Sequence, residues 1–120
     1  MIYTSYYGNF RNLEGFVKIG ISTSQPFEVD TISKLFPGWD IVHDYKSNPD
    51  NERYVKRYTS EILSKTSPEE IVGIIRRICR RYNNFKVVLL CYEKRGDFCH
   101  RHIVADWLTN AGYPTIELEE

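Results

Sequence analysis

The feature that most constrains the fold is an unbroken apolar run at residues 87–91, which reads VVLLC. A run of this length without alternating polar positions is typical of a strand buried on both faces, as in a parallel sheet. A polar loop at residues 95–97 follows, and a helix is predicted from about Cys99 to Ala111, where Gly112 ends it. The sequence therefore predicts an α/β fold, with a mainly parallel short sheet flanked by helices.

The remaining elements follow from alternation, helical spacing and capping signals. Strands are expected at Met1 to Tyr7, Phe16 to Ile21 and, at an edge, Tyr113 to Leu118; helices are expected at about Asp50 to Ser64 and from the N-cap Ser67 to about Arg81; short helices or turns are expected between Phe27 and Lys46. Gly20 interrupts the second strand and either weakens it or permits a close backbone approach.

Length and composition limit the class of protein. The 120 residues match one domain, 1–120, and 42% apolar with 27% charged residues is typical of a globular chain. No apolar run approaches the length of a membrane span, and the N-terminus has no signal-peptide pattern, so a cytoplasmic protein without a membrane partner is expected. Three cysteines without dense spacing favour free thiols, and oligomeric state is not predicted.

Several reactive residue types lie where the apolar strand passes into the following helix. In open α/β sheets, ligands bind outside the carboxyl ends of the strands, where loops enter helix N-termini. Cys91, Glu93, Cys99 and His100 fall at such a place and are the candidate catalytic residues. A helix N-terminus attracts anions, and Arg101 adds a bidentate donor, so an anion pocket is expected.

Helical geometry separates the two histidines of this helix. At 100° per residue, His100 projects toward the buried side, whereas His102 points toward solvent. Adjacent helical residues do not face each other, so Cys99 with His100 is a poor nucleophile and base pair, and Cys91 with His100 is the better one. The same residues also fit a structural role, with Glu93 capping the helix or pairing with Arg101.

Two other types of site are weighed against this one. The spacing of Cys91, Cys99, His100 and His102 matches none of the usual zinc patterns, so no metal and no cofactor are predicted. Cys79 lies within an apolar helix face and is expected to be a buried, inert thiol.

A basic surface is predicted on the helix that starts at Ser67. Its exposed face carries Arg76, Arg77, Arg80 and Arg81. Such a face could track a nucleic-acid backbone, but a formal net charge of zero removes the global attraction, so a solvated face is favoured.

The segments 89–93, 98–102 and 105–108, which read LLCYE, FCHRH and ADWL, resemble the signature of the family called domain of unknown function 488. In that family, a strand ending in Leu-Leu-Cys-x-Glu leads to Cys-His-Arg at the start of the last major helix. The longer members carry an Asp-Val-Arg type motif after the second strand, where this chain has Gly20-Ile21-Ser22. The resemblance implies an α/β fold with the motif at the carboxyl edge of the sheet, and it implies no particular reaction.

The leading hypothesis is a pocket for an anionic or phosphorylated small molecule, such as a nucleotide. Arg101 and the helix N-terminus would hold the anion, and Ser5, Tyr6 and Ser22 would complete the pocket if the first two strands are parallel neighbours. An enzyme and a pure binder fit this pattern equally well. A nucleic-acid-binding or processing protein is the second class, and an interaction module with a purely architectural Cys-His-Arg segment is the third.

Overall fold

A computed structural model describes residues 1–94 and 97–118, and its five strands form one sheet. The strands are β1 (Ile2–Tyr6), β2 (Val17–Gly20), β3 (Asp30–Thr31), β4 (Val87–Cys91) and β5 (Thr115–Glu117). Every pairing is parallel, and the order across the sheet is β3-β2-β4-β1-β5. The predicted α/β class with a parallel sheet is confirmed. The predicted turn at Arg95-Gly96 lies outside the described residues.

Four α-helices accompany the sheet. They are α1 (Trp39–Ser47), α2 (Asn51–Glu61), α3 (Pro68–Tyr82) and α4 (His100–Asn110), with 3₁₀ segments at Tyr7–Leu13, Ser33–Leu35 and Leu63–Lys65. The predicted start of α3 is confirmed, because the Ser67 hydroxyl accepts a 3.1 Å hydrogen bond from the backbone N–H of Glu70. Asn83 ends this helix in the left-handed conformation, with φ of 50°. Asn favours this position because its short polar side chain tolerates that backbone.

Three elements are short or carry only a weak signal in the sequence. The segment Tyr7–Leu13, for which no element was predicted beyond the end of the first strand, winds into a 3₁₀ helix. Helix α1 lies in the region where short helices or turns were expected. It begins at Trp39, after the N-cap Gly38, whose φ of 84° suits glycine and which offers no side-chain cap. Strand β3 has two residues, too few for any periodicity to register.

The two faces of the sheet are covered differently. Val87 and Leu89 of β4 pack with residues of α3 and α4 into the larger core. Val88 and Leu90 point the other way and pack with Tyr7 and Leu13 of the first 3₁₀ segment. All four apolar residues of the strand are at most 2% exposed, which confirms that β4 is buried on both faces.

The connections after β2 and β4 leave the sheet in opposite directions. The chain passes from β2 outward to β3 at one edge, and from β4 across β1 to β5 at the other edge. In open parallel sheets, a crevice opens at the carboxyl ends of two neighbouring strands whose connections diverge in this way. The topology therefore places the crevice between the ends of β2 and β4.

Strands β1 and β2 are parallel but are not neighbours, because β4 lies between them. The condition under which Ser5, Tyr6 and Ser22 would complete one pocket is therefore not met. Gly20 permits another group to approach its backbone closely, which was one of the two roles predicted for it. The Tyr7 hydroxyl lies 2.6 Å from the position that a Cβ on Gly20 would occupy.

On the outer surface of α3, Arg76, Arg77 and Arg80 are exposed, and Arg81 forms a 2.9 Å salt bridge with Asp30. Cys79, on the inner side of the same helix, is buried as predicted, and its burial raises the pKa of the thiol. Within residues 1–94 and 97–118, no helix has both the length and the apolar character that crossing a membrane requires.

Candidate functional site

The end of β4 and the beginning of α4 are joined covalently. Cys91 is the last residue of β4, Cys99 precedes the first residue of α4, and a disulfide links them. The expectation of free thiols is wrong for this pair, because spacing along the chain did not reveal that the strand end and the helix start meet. Cys79 is a free cysteine.

Cys99 lies beside His100, contrary to the prediction from helical geometry. Its Sγ is 3.7 Å from Nδ1 of His100. The prediction assumed that both residues belong to the helix, whereas Cys99 is extended, with φ of −154° and ψ of 146°. The ligand atoms of Cys91, Cys99 and His100 all lie within 4.8 Å of one another, so all three residues form one cluster.

His100 points inward, as the helical geometry predicted, and is 5% exposed. Its Nε2 is 2.7 Å from the carbonyl oxygen of Ile21, immediately after β2. Burial lowers the pKa of this imidazole to about 4, and the charge of Arg101 acts in the same direction against the Ile21 hydrogen bond. At neutral pH the ring is therefore uncharged, with its proton on Nε2 and a lone pair on Nδ1.

Arg101 is fully buried and points away from His100, toward β1 and β5. Its Nε and Nη2 donate to the Glu117 carboxylate at 2.9–3.3 Å. Its Nη1 donates to Cys91 Sγ at 3.2 Å and to the backbone carbonyl of Glu93. The guanidinium that was expected to meet an anion therefore holds a carboxylate of the chain itself.

Glu117 is the ion-pair partner of Arg101, which the sequence did not reveal. Burial disfavours its ionised form, but hydrogen bonds from Arg101 and Thr4 outweigh this and lower the pKa of the carboxyl. The predicted alternative in which the Glu93 carboxylate pairs with Arg101 is wrong, because Glu93 contributes its carbonyl oxygen. Glu117 belongs to the edge strand β5, and a single acidic residue in a three-residue strand carries no pattern that identifies a partner.

The three further candidates lie in separate surroundings. Ser5 accepts a 3.1 Å hydrogen bond from the Asn9 side chain in the buried layer under the 3₁₀ segment. The Tyr6 ring lies 6.0 Å from the centre of the Arg101 guanidinium. Ser22, alone of the three, lines a cavity at the predicted edge of the sheet.

This cavity has a volume of about 400 Å³ and lies at the crevice between the carboxyl ends of β2 and β4. Its lining combines aromatic rings and hydroxyl groups with one lysine, one glutamate and one histidine. The lining residues are Ser22, Thr23, Ser24, Pro37, Trp39, Val42, Tyr45, Lys46, Tyr54, Tyr92, Glu93 and His100. Glu93 and His100 of the predicted site therefore reach the cavity.

Aromatic side chains connect the cavity wall to the buried face of His100. Tyr54 contacts Phe98 and Tyr58, with ring centroids 5.1 and 6.1 Å apart. Tyr58 contacts His100 at 5.3 Å, and its hydroxyl donates to the carbonyl oxygen of Leu35 at 2.6 Å. These contacts help to hold the imidazole in its orientation.

Comparison with known proteins gives one family. The family model described as "DUF488-N3a: Active DUF488-N3 subclade" matches residues 2–112. No curated protein matches this chain, and no solved structure matches it.

Proposed function

This chain belongs to the DUF488-N3a family, and from that premise we propose that its cavity binds an anionic small molecule with a flat ring, such as a nucleotide. The observation that carries the proposal is the cavity of about 400 Å³ where the connections of β2 and β4 diverge. Ligand sites of parallel α/β sheets concentrate at such positions, and small-molecule pockets start at roughly 300 Å³.

The aromatic lining supports the ring of the proposed ligand. Trp39 is 51% exposed and Tyr92 is 46% exposed, and both line the cavity, Trp39 from the start of α1 and Tyr92 from the segment after β4. Large exposed rings at the mouth of a cavity offer flat apolar surface on which a heterocycle can stack. The Tyr92 ring is held from behind by Tyr7, with centroids 4.9 Å apart.

The polar lining supports the anionic part of the ligand. Ser22, Thr23 and Ser24 follow β2, and Lys46 at the end of α1 lines the same cavity. Lys46 and the hydroxyl groups would hold a phosphate or carboxylate in place of Arg101, whose guanidinium is bound to Glu117. The carboxylate of Glu93, on the β4 side, would accept hydrogen bonds from ring or sugar donors.

Proton transfer is the chemistry that the cavity residues are suited to. The Nε2–H of His100 is hydrogen bonded to the Ile21 carbonyl, so the carboxylate of Glu93 is the cavity group that would exchange a proton with a bound molecule, while the neutral His100 imidazole would help to orient that molecule. The matched family model is described as an active subclade, which supports testing the bound molecule for turnover as well as for binding.

The test uses the whole chain in its disulfide form. Purine and pyrimidine nucleoside 5′-monophosphates, the matching nucleosides and inorganic phosphate are compared by thermal shift and calorimetry. At least one monophosphate is expected to raise Tm more than its nucleoside or phosphate alone, because ring and anion bind together; a ligand at one hundred times its Kd adds about 2.7 kcal/mol of stability.

Two variants localise the binding. Trp39→Ala should weaken the responsive monophosphate at least tenfold, whereas Phe85→Ala, which removes an equally exposed ring outside the cavity, should leave its affinity unchanged. The proposal fails if no monophosphate binds, or if both variants weaken binding equally.

A further inference from the structure

The cluster of Cys91, Cys99 and His100 contains three side chains of the types that bind zinc, with all three ligand atoms within 4.8 Å. We infer that, after reduction of the disulfide, Cys91 Sγ, Cys99 Sγ and His100 Nδ1 bind one zinc ion. The absence of a usual zinc pattern in the sequence does not oppose this. The ligands come from a strand end and a helix start, and the fold brings them together.

The distances fit tetrahedral zinc. Zinc bonds of about 2.3 Å to sulfur and about 2.0–2.1 Å to nitrogen place two ligand atoms of a tetrahedron about 3.6 Å apart. Cys99 Sγ and His100 Nδ1 are 3.7 Å apart. Once reduced, the two sulfurs must separate to about 3.8 Å, which a rotation of the Cys99 side chain on its extended backbone can supply.

The surrounding hydrogen bonds already orient the ligand atoms. The Nε2–H of His100 donates to the Ile21 carbonyl at 2.7 Å, which leaves Nδ1 unprotonated and directed at the sulfurs. A backbone carbonyl on the other ring nitrogen is the usual outer partner of a zinc-binding histidine. The Arg101 guanidinium lies 3.2 Å from Cys91 Sγ and would stabilise a thiolate there.

The charges of the zinc ion and its ligands would balance within this buried cluster. Two thiolates neutralise the two positive charges of zinc, and the neutral imidazole adds none. Arg101, whose Nη1 contacts Cys91 Sγ, is paired with the Glu117 carboxylate at 2.9 Å. The zinc ion, the two thiolates and this guanidinium would each have a partner of opposite charge, which is the condition for burying ions at tolerable cost.

Three protein ligands leave one tetrahedral position open. His100 is the one cluster residue in the lining of the cavity, so water or a donor atom of a bound molecule would reach this position from the crevice past His100. Three protein ligands and one exchangeable ligand are the arrangement of catalytic rather than structural zinc. The inference goes beyond the proposed function, because zinc binding does not depend on the small-molecule ligand.

The reaction that prepares the site is thiol–disulfide exchange. Two molecules of a small thiol, RSH, reduce the Cys91–Cys99 disulfide to two thiols and leave as the disulfide RSSR. Zinc then displaces the two thiol protons, which pass to the solvent, and two thiolate–zinc bonds form. The disulfide form and the zinc form are therefore alternative states of the same two sulfurs.

The test begins with metal-free protein reduced by a phosphine, which removes the disulfide without adding a competing thiol. Cobalt(II) is titrated under argon, and zinc is then added. We expect one equivalent of cobalt to give the intense visible bands of a tetrahedral site with sulfur ligands, and one equivalent of zinc to remove them. The oxidised protein should give no such bands with cobalt, and zinc should then cause no change in its spectrum.

Matched variants assign the ligands. Cys91→Ser, Cys99→Ser and His100→Asn should each weaken zinc binding at least tenfold in competition with a chromophoric chelator. Cys79→Ser and His102→Asn, which replace a cysteine and a histidine outside the cluster, should bind zinc as the wild type does. Circular dichroism on each reduced variant separates a lost ligand from a lost fold.

Three results would overturn the inference. The first is that the reduced wild type binds less than a fifth of an equivalent of zinc. The second is that the oxidised protein binds zinc as well as the reduced protein does. The third is that the control variants lose as much zinc affinity as the cluster variants. Comparison of the oxidised and reduced wild type needs no substitution, so the inference remains testable even if a cluster variant does not fold. The nucleotide test uses oxidised, metal-free protein, so each proposal can fail independently of the other.

Discussion

The first turn of α4 has two sides with different surroundings. The residues that face them, His100 and Arg101, are adjacent in the sequence. His100 faces the cavity side, with Ile21, Tyr58 and Cys99 around it. Arg101 faces the ion-pair side, with Glu117, Thr4 and Cys91. A step of 100° between consecutive helical residues sends one side chain toward β2 and the other toward β5.

The difference shows that one motif can both stabilise the fold and place a side chain at a cavity. The ion-pair side is closed, since Arg101 is fully buried and its Nε, Nη1 and Nη2 each donate to an acceptor within the chain. The cavity side keeps one face of His100 next to open space. We therefore expect substitutions on the ion-pair side to change stability most, and substitutions at the cavity rim to change ligand affinity.

The largest effect is expected for Arg101→Ala. The change removes a fully buried guanidinium and leaves Glu117 without its cation, so the free energy of unfolding should fall by about 3–5 kcal/mol. Urea denaturation measures this. The double variant Arg101→Met with Glu117→Leu should recover much of the loss, because it removes both charges. A fall below about 1 kcal/mol for Arg101→Ala would break the assignment of this side to stability.

Tyr58→Phe should have the next largest effect. The buried hydroxyl donates to the Leu35 carbonyl at 2.6 Å, and its loss leaves that acceptor unsatisfied, at a cost of about 1–3 kcal/mol. The ring that orients His100 is retained, so nucleotide affinity should stay within about twofold of the wild type. Chemical denaturation and calorimetry on the same sample check both parts. A large loss of nucleotide affinity without a fall in the free energy of unfolding would contradict the assignment of the Tyr58 hydroxyl to stability.

The ion-pair side should also lose stability in acid. The folded pKa of Glu117 lies below its unfolded value of 4.5, so its contribution is fully present above pH 4.5 and is lost as the pH falls through the lower folded pKa. The free energy of unfolding, measured by urea denaturation from pH 7 to pH 3, should therefore decline in that acidic window. Glu117→Gln should flatten this decline, and an unchanged profile would contradict the assignment.

The smallest change in stability is expected for Lys46→Ala at the cavity rim. This exposed side chain should alter the free energy of unfolding by no more than about 0.5 kcal/mol. Affinity for a nucleoside monophosphate should nevertheless fall about tenfold, because the cation expected to meet the phosphate is gone. Lys65→Ala, an exposed lysine outside the cavity, is the control for both measurements.

The sequence predicted the parts of this comparison that periodicity encodes. The unbroken run of β4, the capped start of α3 and the inward direction of His100 all follow from local spacing. The identity of the Arg101 partner did not follow, because Glu117 approaches through a parallel strand at the far end of the chain. The proximity of Cys99 to His100 was missed for a different reason, since one extended residue before a helix escapes helical geometry.

The strand order also bears on how the protein is made. β1 leaves the ribosome before its neighbours in the sheet, β4 and β5, which are synthesised only after β2, β3 and the helices α1 to α3. The apolar side chains of β1 therefore stay without their partner strands until at least residue 91 has emerged from the ribosome. Non-local pairing of this kind slows folding and prolongs the exposure of aggregation-prone surface. β1 is consequently a segment that needs protection during translation.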